Sequence, residues 1–399
     1  MRREDLPLAG TVVLDFSQFL AGPVAALRLA DLGARVIKVE RPLTGEIGRT
    51  LAFAGRRADG DTLSFHAMNR NKEAVVADLK DPDDLARVRA LVARADVLVQ
   101  NFRPGVMERI GLDYESVRGL NPGLVYASAS GYGADGPWAG RPGQDLLAQS
   151  ISALPWTNGM DRPIPVGLSL ADHLLSCHLA EGITALLVRK ARTGRGGLVE
   201  TSLLEGMLDL QLEVLTARLN ARDAEPHSAE GHRPAPYGVY PTADGYLAIA
   251  MAPVDRLGRL LRSEELAAYD DPAAWWTERA HLEELIAKAL AGDTTAGWLA
   301  VLDADDVWAA PVLTLEELLE HPAFDAVEMT QVIERAPAQE GGEPVRLTTT
   351  RSPIRIDGEV LRSGRGAPRL GEQGHLRDGI DALATAPTGQ YEVADAHRT

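Results

Sequence analysis

The first forty residues place an apolar helical stretch between two apolar strand-like runs. Residues 11–40 predict a strand, a loop, a helix from Pro23 to about Leu32 and a second strand, with Gly33 ending the helix. Proline suits the first helical turn because the N–H that it lacks has no helical partner there. A strand, a helix and a strand in this order favour a βαβ unit, and therefore an α/β fold with a parallel sheet.

Later apolar runs extend the same sheet. They predict strands at 74–77, 97–99 and 124–130, a helix at 81–94, a helix that runs through Leu154 to Pro155, a helix that ends at Gly194 and a long helix at 199–219. A glycine-rich loop, GYGADGPWAGRPGQD, follows the strand at 124–130. Because ligands of open parallel sheets bind outside the carboxyl ends of the strands, we expect the site in these loops.

At 399 residues the chain exceeds the size at which a single hydrophobic core stops growing, so we expect two domains. The predicted parts are a large domain at 1–220, a polar linker at 221–236 and a small domain at 237–325. The small domain begins with a hairpin around an Asp-Gly turn and continues as helices, in which Trp275 and Trp276 are expected to pack in the core.

From Pro311 the pattern changes again. It predicts a helix with a Thr-x-x-Glu cap at the end of the small domain. The C-terminal segment, 326–399, follows, with short strands predicted at 331–334 and 354–356. From about residue 380 the composition favours a poorly ordered tail.

Charge and composition exclude several classes of protein. A net charge of −16 disfavours a nucleic-acid partner, since phosphate neutralisation requires a basic surface. The single cysteine, Cys177, suits a reducing cytosol and is expected to be buried, and no Cys or His cluster predicts a metal. Without an apolar segment of membrane-spanning length or a signal-peptide pattern, we expect a cytoplasmic protein with no membrane association.

An acidic protein that binds an anion needs a local basic cluster. Arg41, Lys72, Arg103 and Arg109 all fall close to strand ends, which would suit a phosphate-bearing ligand. Exposed, solvated positions are the ordinary alternative for each of them. A dinucleotide is disfavoured, although an acid, Glu40, ends the second strand, because the first turn carries one glycine where the G-x-G-x-x-G motif needs three.

Asp172 stands at the start of the apolar stretch that ends at Gly194. One interpretation is a helix N-cap, because a short carboxylate accepts hydrogen bonds from free backbone amides and is stabilised by the helix dipole. The other is a carboxylate held in a cleft as the nucleophile of covalent catalysis. The two interpretations are compatible in one residue.

Several blocks, in one order along nearly the whole chain, resemble the family III coenzyme A transferases of the CaiB/BaiF type, a group that includes formyl-CoA transferase, carnitine CoA-transferase and alpha-methylacyl-CoA racemase. They are VVLDFSQFLAGP, GARVIKVERP, NRNKEAVVADLK, ADVLVQNFRPGVMERIGL, LVYASASGYGADGP, the Asp172 segment with TGRGGLVETSLLEG, APYGVYPTADGYLAIA, APVLTLEE, SPIRIDG and APRLGE. The order of these blocks is more specific than any one of them.

The resemblance implies a Rossmann-like CoA-binding large domain, a smaller α+β domain and an interlocked, ring-like homodimer, with 326–399 returning to the large domain. It places the catalytic aspartate on Asp172. That carboxylate would attack an acyl-CoA thioester to give an anhydride, the released CoA would then form an aspartyl-CoA thioester, and CoA would pass to a free carboxylic acid. A tightly bound cofactor is not implied, because the CoA thioester is a substrate.

The resemblance also implies, by family position, which residues would contact CoA. These are Leu20, Ala21, Arg41, Asn69, Asn71, Lys72, Asn101, Phe102, Arg103, Arg109, Gln144 and Asp145. Leu20 stands where formyl-CoA transferase has a glutamine, which disfavours that substrate.

Two alternatives stay open beside the transferase. A 2-methylacyl-CoA racemase would need a second proton-transfer group, but Gln144 replaces the histidine of the racemases' Gly-His-Asp motif and cannot exchange protons near neutral pH. A non-catalytic CoA-binding protein is disfavoured by the presence of Asp172. The sequence leaves the acids open, with a small or dicarboxylic acid expected.

Overall fold

The computed structural model describes residues 3–51, 55–158, 162–220, 233–339 and 341–376. The predicted tail from 380 and most of the predicted linker, 221–232, lie outside these residues. Contacts divide the chain into two compact units. The first comprises the described residues up to Pro155, Pro165–Leu212 and the described residues from Met329 on; the second comprises the described parts of 156–164 and 213–328. The sequence-based domain boundaries stay predictions.

The strands are β1 (Val12–Asp15), β2 (Arg35–Glu40), β3 (Arg57–Ala58), β4 (Asp61–Thr62), β5 (Lys72–Val76), β6 (Val97–Gln100), β7 (Val125–Ser130), β8 (Gly197–Ser202), β9 (Gly238–Pro241), β10 (Tyr246–Ile249), β11 (Ala309–Pro311), β12 (Thr330–Arg335), β13 (Val345–Thr350), β14 (Arg355–Ile356) and β15 (Glu359–Val360).

The α-helices are α1 (Ala21–Asp31), α2 (Leu63–Asn69), α3 (Pro82–Val92), α4 (Val106–Arg109), α5 (Tyr114–Val117), α6 (Asp145–Ile151), α7 (Leu170–Thr193), α8 (Leu203–Leu210), α9 (Leu212–Asn220), α10 (Val254–Leu260), α11 (Glu264–Ala267), α12 (Ala274–Thr277), α13 (Arg279–Leu290), α14 (Thr295–Ala304), α15 (Leu315–Glu320) and α16 (Pro322–Val327). Short 3-10 turns lie at Arg3–Asp5, Ile47–Arg49 and Leu154–Trp156.

A six-stranded parallel sheet in the order β5-β2-β1-β6-β7-β8 forms the centre of the first unit. The predicted α/β class and the parallel βαβ unit are confirmed. Buried apolar side chains form one cluster with α1 and α7 on one face and a second with α3 on the other. Because both faces are covered, the strands are near-continuous apolar runs such as Val-Val-Leu in β1.

The predicted long helix at 199–219 is wrong. Its first residues belong to the edge strand β8, in which Val199 pairs with Ala127 of β7. Gly182 of α7 makes the close approach possible, since a Cβ at that glycine would lie 2.6 Å from a Val199 methyl group. The helical part that remains is divided into α8 and α9.

Three smaller predictions are also corrected. The helix expected to reach Leu154 ends at Ile151. Cys177 is exposed on α7 rather than buried. Trp275 packs against the core of the second unit and donates its indole N–H to the Tyr269 carbonyl, but Trp276 is 51% exposed.

The second unit begins its sheet with the predicted hairpin. Strands β9 and β10 pair antiparallel, and β11 adds to the other side of β10. The Thr-x-x-Glu pattern forms a capping box at α15, with Thr314 and Glu317 bonding each other's backbone amides. Among the described residues, no single helix has the length and apolar character of a membrane span; α13 and α14 reach it together, but with a bend of 111° between them.

Candidate active site

Asp172 lies at the third position of α7, three residues past the observed N-cap. The N-cap residue is Ser169, whose side chain makes no capping bond, so the N-cap interpretation of Asp172 is wrong. Another carboxylate serves the start of the helix instead. Asp145 Oδ1 accepts the backbone N–H of Ala171 at 2.6 Å and that of Asp172 at 3.2 Å. The Asp172 carboxylate is therefore not required by its own helix.

The Asp172 carboxylate accepts a hydrogen bond from the backbone N–H of Ala21, the first residue of α1. This amide is one of those that a helix leaves without an internal partner. Two helices, α1 and α7, thus begin at the same place, and a carboxylate of one lies on the N-terminus of the other. The positive end of the α1 dipole favours negative charge at this position.

The environment of Asp172 makes its carboxylate unusually basic. Burial and the negative charge of Asp145 raise the pKa of Asp172 from 3.8 to about 7, although the bond from Ala21 opposes the rise. A carboxylate that ionises near neutral pH is more basic than an ordinary aspartate and remains partly ionised under physiological conditions. Perturbation of this kind in a partly buried acid is typical of functional sites.

The glycine-rich loop brings Asp145 to Asp172. Gly131, directly after β7, contacts Gly143 backbone to backbone, because a Cβ at either residue would lie within 2.6 Å of the other's Cα. The loop thus closes immediately before Gln144, which is exposed, and Asp145. The amide of Gln149 then donates to Asp145 Oδ2 at 2.7 Å and holds it in place.

Leu20 and Ala21 lie in the segment that leads into α1, where Leu20 is half-buried and Ala21 is buried. Asn101 follows β6 at the same edge of the sheet and bonds both backbone groups of Gln18. The structure therefore brings Leu20, Ala21 and Asn101 together with Asp145 and Asp172, as the carboxyl ends of neighbouring parallel strands require.

Three of the residues predicted to contact CoA have buried side chains. Lys72 is fully buried, and its ammonium donates to Asp15 Oδ2 at 2.8 Å, the Pro23 carbonyl at 2.8 Å and Asn69 Oδ1 at 2.9 Å. Asn69 has no exposed surface, and the Asn71 amide donates to the Ala30 carbonyl at 3.0 Å. The placement of Lys72 in a surface basic patch is thus corrected: its strand begins at Lys72 itself, which points it into the molecule.

The other three members of the predicted basic patch, Arg41, Arg103 and Arg109, are exposed. Arg41 follows the end of β2 and donates from Nε to the Gly45 carbonyl at 2.7 Å. Arg103 follows β6 and, together with the half-buried Phe102, lines a cleft of about 480 Å³ at the carboxyl ends of β6, β7 and β8. Their guanidinium groups are therefore accessible to an anionic ligand.

Sequence reasoning missed a buried charge cluster beneath the site. Asp15 at the end of β1 contacts Lys38 of β2 at 3.7 Å and Lys72 of β5 at 2.8 Å, and Lys38 lies 3.6 Å from Glu46. A signal was present, since an aspartate ends the apolar run of β1 and a lysine interrupts that of β2. Charges within buried strands pair with one another. Among the described residues, no group of three His, Cys, Asp or Glu is arranged to hold a metal.

Comparison with known proteins identifies the class. The sequence profile described as CoA-transferase family III matches residues 8–374, and the chain belongs to this family. It is 33% identical over 390 residues to the succinate–glutarate CoA-transferase of Agrobacterium fabrum, and the alignment covers 92% of this chain and 93% of that protein. It is 32% identical over 391 residues to the acetyl-CoA:oxalate CoA-transferase of Acetobacter aceti, covering 92% and 94%.

Solved structures agree with this assignment. A CaiB/BaiF family protein of Brucella suis is similar with a TM-score of 0.78 at 32% identity, over 92% of this chain and 97% of that one. A protein of Mycobacterium tuberculosis gives 0.79 at 30% identity, over 92% and 98%. The chain is therefore an enzyme, a CoA-transferase whose substrates are CoA thioesters.

Proposed function

We propose that this enzyme moves CoA from an acyl-CoA thioester to a free carboxylic acid through covalent intermediates on Asp172. The observation that carries the proposal is the position of this carboxylate, partly buried where α1 and α7 begin, with a pKa raised to about 7 by burial and by Asp145. Such a group combines the basicity of a nucleophile with partial ionisation at neutral pH.

In the first step an Asp172 oxygen attacks the thioester carbonyl. The C–S bond breaks, CoA leaves as the thiolate, and an aspartyl acyl anhydride forms. The thiolate then attacks the aspartyl carbonyl, which expels the donor acid as a carboxylate and leaves an aspartyl-CoA thioester. Backbone amides near the site, including that of Ala21, are suited to stabilise the oxyanions that develop.

The acceptor completes the exchange by the reverse steps. Its carboxylate attacks the aspartyl-CoA carbonyl, releases the thiolate and forms a second anhydride. The thiolate attacks the acceptor's acyl carbon in that anhydride, so that the new acyl-CoA leaves and the Asp172 carboxylate is regenerated. Proton balance is preserved, because carboxylate and thiolate are exchanged at every step. Exclusion of water protects the anhydrides from hydrolysis.

For the CoA group, exposed cations are the expected phosphate contacts. Arg41, Arg103 and Arg109 fit this role because they are exposed near the carboxyl ends of β2 and β6. Leu20, Ala21 and Phe102 would contact apolar parts of the ligand, and the exposed Gln144 its polar parts. Asn69, Asn71 and Lys72 contribute indirectly, by supporting the sheet from within.

We propose a small dicarboxylic acid as the acid substrate. Relatives whose names carry succinate, glutarate, oxalate and malate are 32–34% identical to this chain. We also propose that the enzyme works in the cytoplasm as an interlocked homodimer. Large apolar side chains exposed on the single chain, including Leu212, Leu219 and Leu315, suit burial against a second copy.

The test is mass spectrometry of the protein with a panel of acyl-CoA donors and carboxylic acids in heavy water. We expect a new acyl-CoA only when an acceptor is present, and a CoA adduct on the peptide that contains Asp172. Asp172→Ala should abolish both, while Glu181→Ala, which removes an exposed carboxylate from the same helix, should leave them unchanged. Deuterium at the α-carbon without CoA exchange would favour the racemase. Retained CoA affinity without either reaction would favour a non-catalytic protein.

A further inference from the structure

The segment Ser17–Leu20, which joins β1 to α1, is held by side chains from several other elements. Ser17 donates from its backbone N–H to Asp15 Oδ1 at 3.0 Å, and its carbonyl accepts Lys38 Nζ at 2.9 Å. Phe19 donates its N–H to Glu46 Oε2 at 3.1 Å. The next helical residue, Ala21, is the one whose amide bonds Asp172.

Asn101 holds the middle of this segment from the neighbouring strand end. Its Oδ1 accepts the Gln18 N–H at 2.8 Å, and its Nδ2 donates to the Gln18 carbonyl at 2.7 Å. Both ends of the side-chain amide are thus used within the protein. A contact of this amide with CoA, as expected from sequence, would have to compete with these two bonds.

The segment needs such support because its backbone conformation is unfavourable. Phe19 has φ of 64°, a left-handed conformation that a bulky side chain rarely adopts. Gly22 packs so closely on Ser17 that a Cβ there would lie 2.2 Å from the Ser17 Cβ. Backbone of this kind persists only where surrounding contacts determine it.

We propose that Asn101 is a positioning residue, which together with Lys38 and Glu46 holds this segment so that the Ala21 N–H lies on the Asp172 carboxylate. The inference rests on the proposed role of Asp172. It assigns Asn101 to the geometry of the reacting carboxylate and not to CoA affinity.

The positioning role proposed for Asn101 predicts a measurable change in the pKa of Asp172. The charged group that faces Asp172 is Asp145, while Asp145 and Arg28 act on the adjacent His173. Against the negative charge of Asp145, the Ala21 amide favours the ionised form. If the segment shifts and this bond is lost, the pKa of Asp172 rises further.

The experiment compares Asn101→Ala with Asn121→Ala. Asn121 is a matched control because its amide also bridges backbone, donating to the carbonyls of Val92 at 3.0 Å and Ala95 at 2.8 Å, away from Asp172. For each variant, kcat/KM is measured across pH with an acyl-CoA donor and a dicarboxylic acid. A second measurement takes the pH dependence of the unfolding midpoint with and without Asp172→Asn in the same background, which reports the Asp172 pKa without requiring activity.

Asn101→Ala should raise the Asp172 pKa by about half a unit or more in both measurements, the pH profile of kcat/KM and the pH dependence of unfolding. Asn121→Ala should leave the Asp172 pKa unchanged. KM for the acyl-CoA should change by less than about threefold, since the lost interaction serves the reacting group. An unchanged Asp172 pKa with a raised KM would overturn the proposal and make Asn101 a CoA contact. Equal shifts in both variants would also overturn it, as general loosening. Should Asn101→Ala not fold, Asn101→Ser takes its place.

Failure of the proposed function would look different. In that case Asp172→Asn would retain CoA exchange, while the unfolding measurement would still show whether Asn101 controls the Asp172 pKa.

Discussion

Asp15, which is buried, and Asp172, which is partly buried, are carboxylates of one unit that ionise at very different pH values. Burial alone would raise the pKa of both. At Asp15 the ammonium groups of Lys38 and Lys72 reverse that effect and lower the pKa to about 2. At Asp172 the neighbouring charge is Asp145, of the same sign, and the pKa rises to about 7. The sign of the neighbours therefore separates a permanently charged structural group from a reactive one.

The largest expected effect is on catalysis. Asp172→Asn keeps the shape of the side chain but removes the nucleophilic oxygen anion, so acyl-CoA formation should fall by a factor on the order of 10⁴ or more. The measurement is the rate of CoA exchange by chromatography at saturating substrates. Exchange within tenfold of the wild-type rate would remove Asp172 from the reaction.

The next effect is on stability, at the other carboxylate. Asp15→Ala would leave Lys38 and Lys72 buried with their main anionic partner gone. Breaking a buried ion pair from one side is expected to lower the free energy of unfolding by about 3–5 kcal/mol. Chemical denaturation measures it, with Asp209→Ala as a control at an exposed carboxylate. A loss below about 1 kcal/mol would show that the cluster is not held by charge.

Asp172→Asn should also stabilise the protein, in a pH-dependent way. The wild-type carboxyl ionises near 3.8 when unfolded and near 7 when folded, so between these values unfolding releases a proton and stability falls as pH rises. Below pH 3.8 the Asp172 carboxyl costs the folded state no stability, and above pH 7 the loss of stability from its ionisation is constant. After discounting for partial solvent screening, the variant should exceed wild type by roughly 2 kcal/mol above pH 7. Urea denaturation from pH 4 to 8 measures the difference; a constant value would contradict the raised pKa.

The smallest expected effect measures the contribution of the Asp145 charge to the pKa of Asp172. Asp145→Asn keeps an oxygen for the amides at the start of α7 but removes the charge that faces Asp172. The ascending limb of kcat/KM, expected near pH 7 in the wild type, should move down by about one pH unit. A limb that stays in place would assign the basicity of Asp172 to burial alone.

The comparison also shows how far sequence reasoning reached. The apolar runs predicted the α/β class and the first βαβ unit, because hydrophobic periodicity is a local property. They failed at Val199, where a short strand before a helix has the same apolar content as one long helix. Spacing placed Asp172 at a helix start but not its partner, since Ala21 and Asp145 approach it only through the fold. The prediction of Lys72 in a surface basic patch is wrong for the same reason, because the buried position of Lys72 depends on its ion pair with Asp15, 57 residues earlier.

The contacts of Arg335 in β12 have a consequence for synthesis of the chain. Its guanidinium bonds Asp61, which precedes it by 274 residues, and Arg49 of the same cluster bonds the Pro368 carbonyl, 319 residues further on. A ribosome must therefore add most of the polypeptide before the first unit has its last native partners. The second unit ends at Glu328, before Arg335 and Pro368 in the sequence, so its synthesis is complete earlier. Since domains fold as units during translation, the ion network of the first unit stays incomplete until this C-terminal part of the chain has been synthesised.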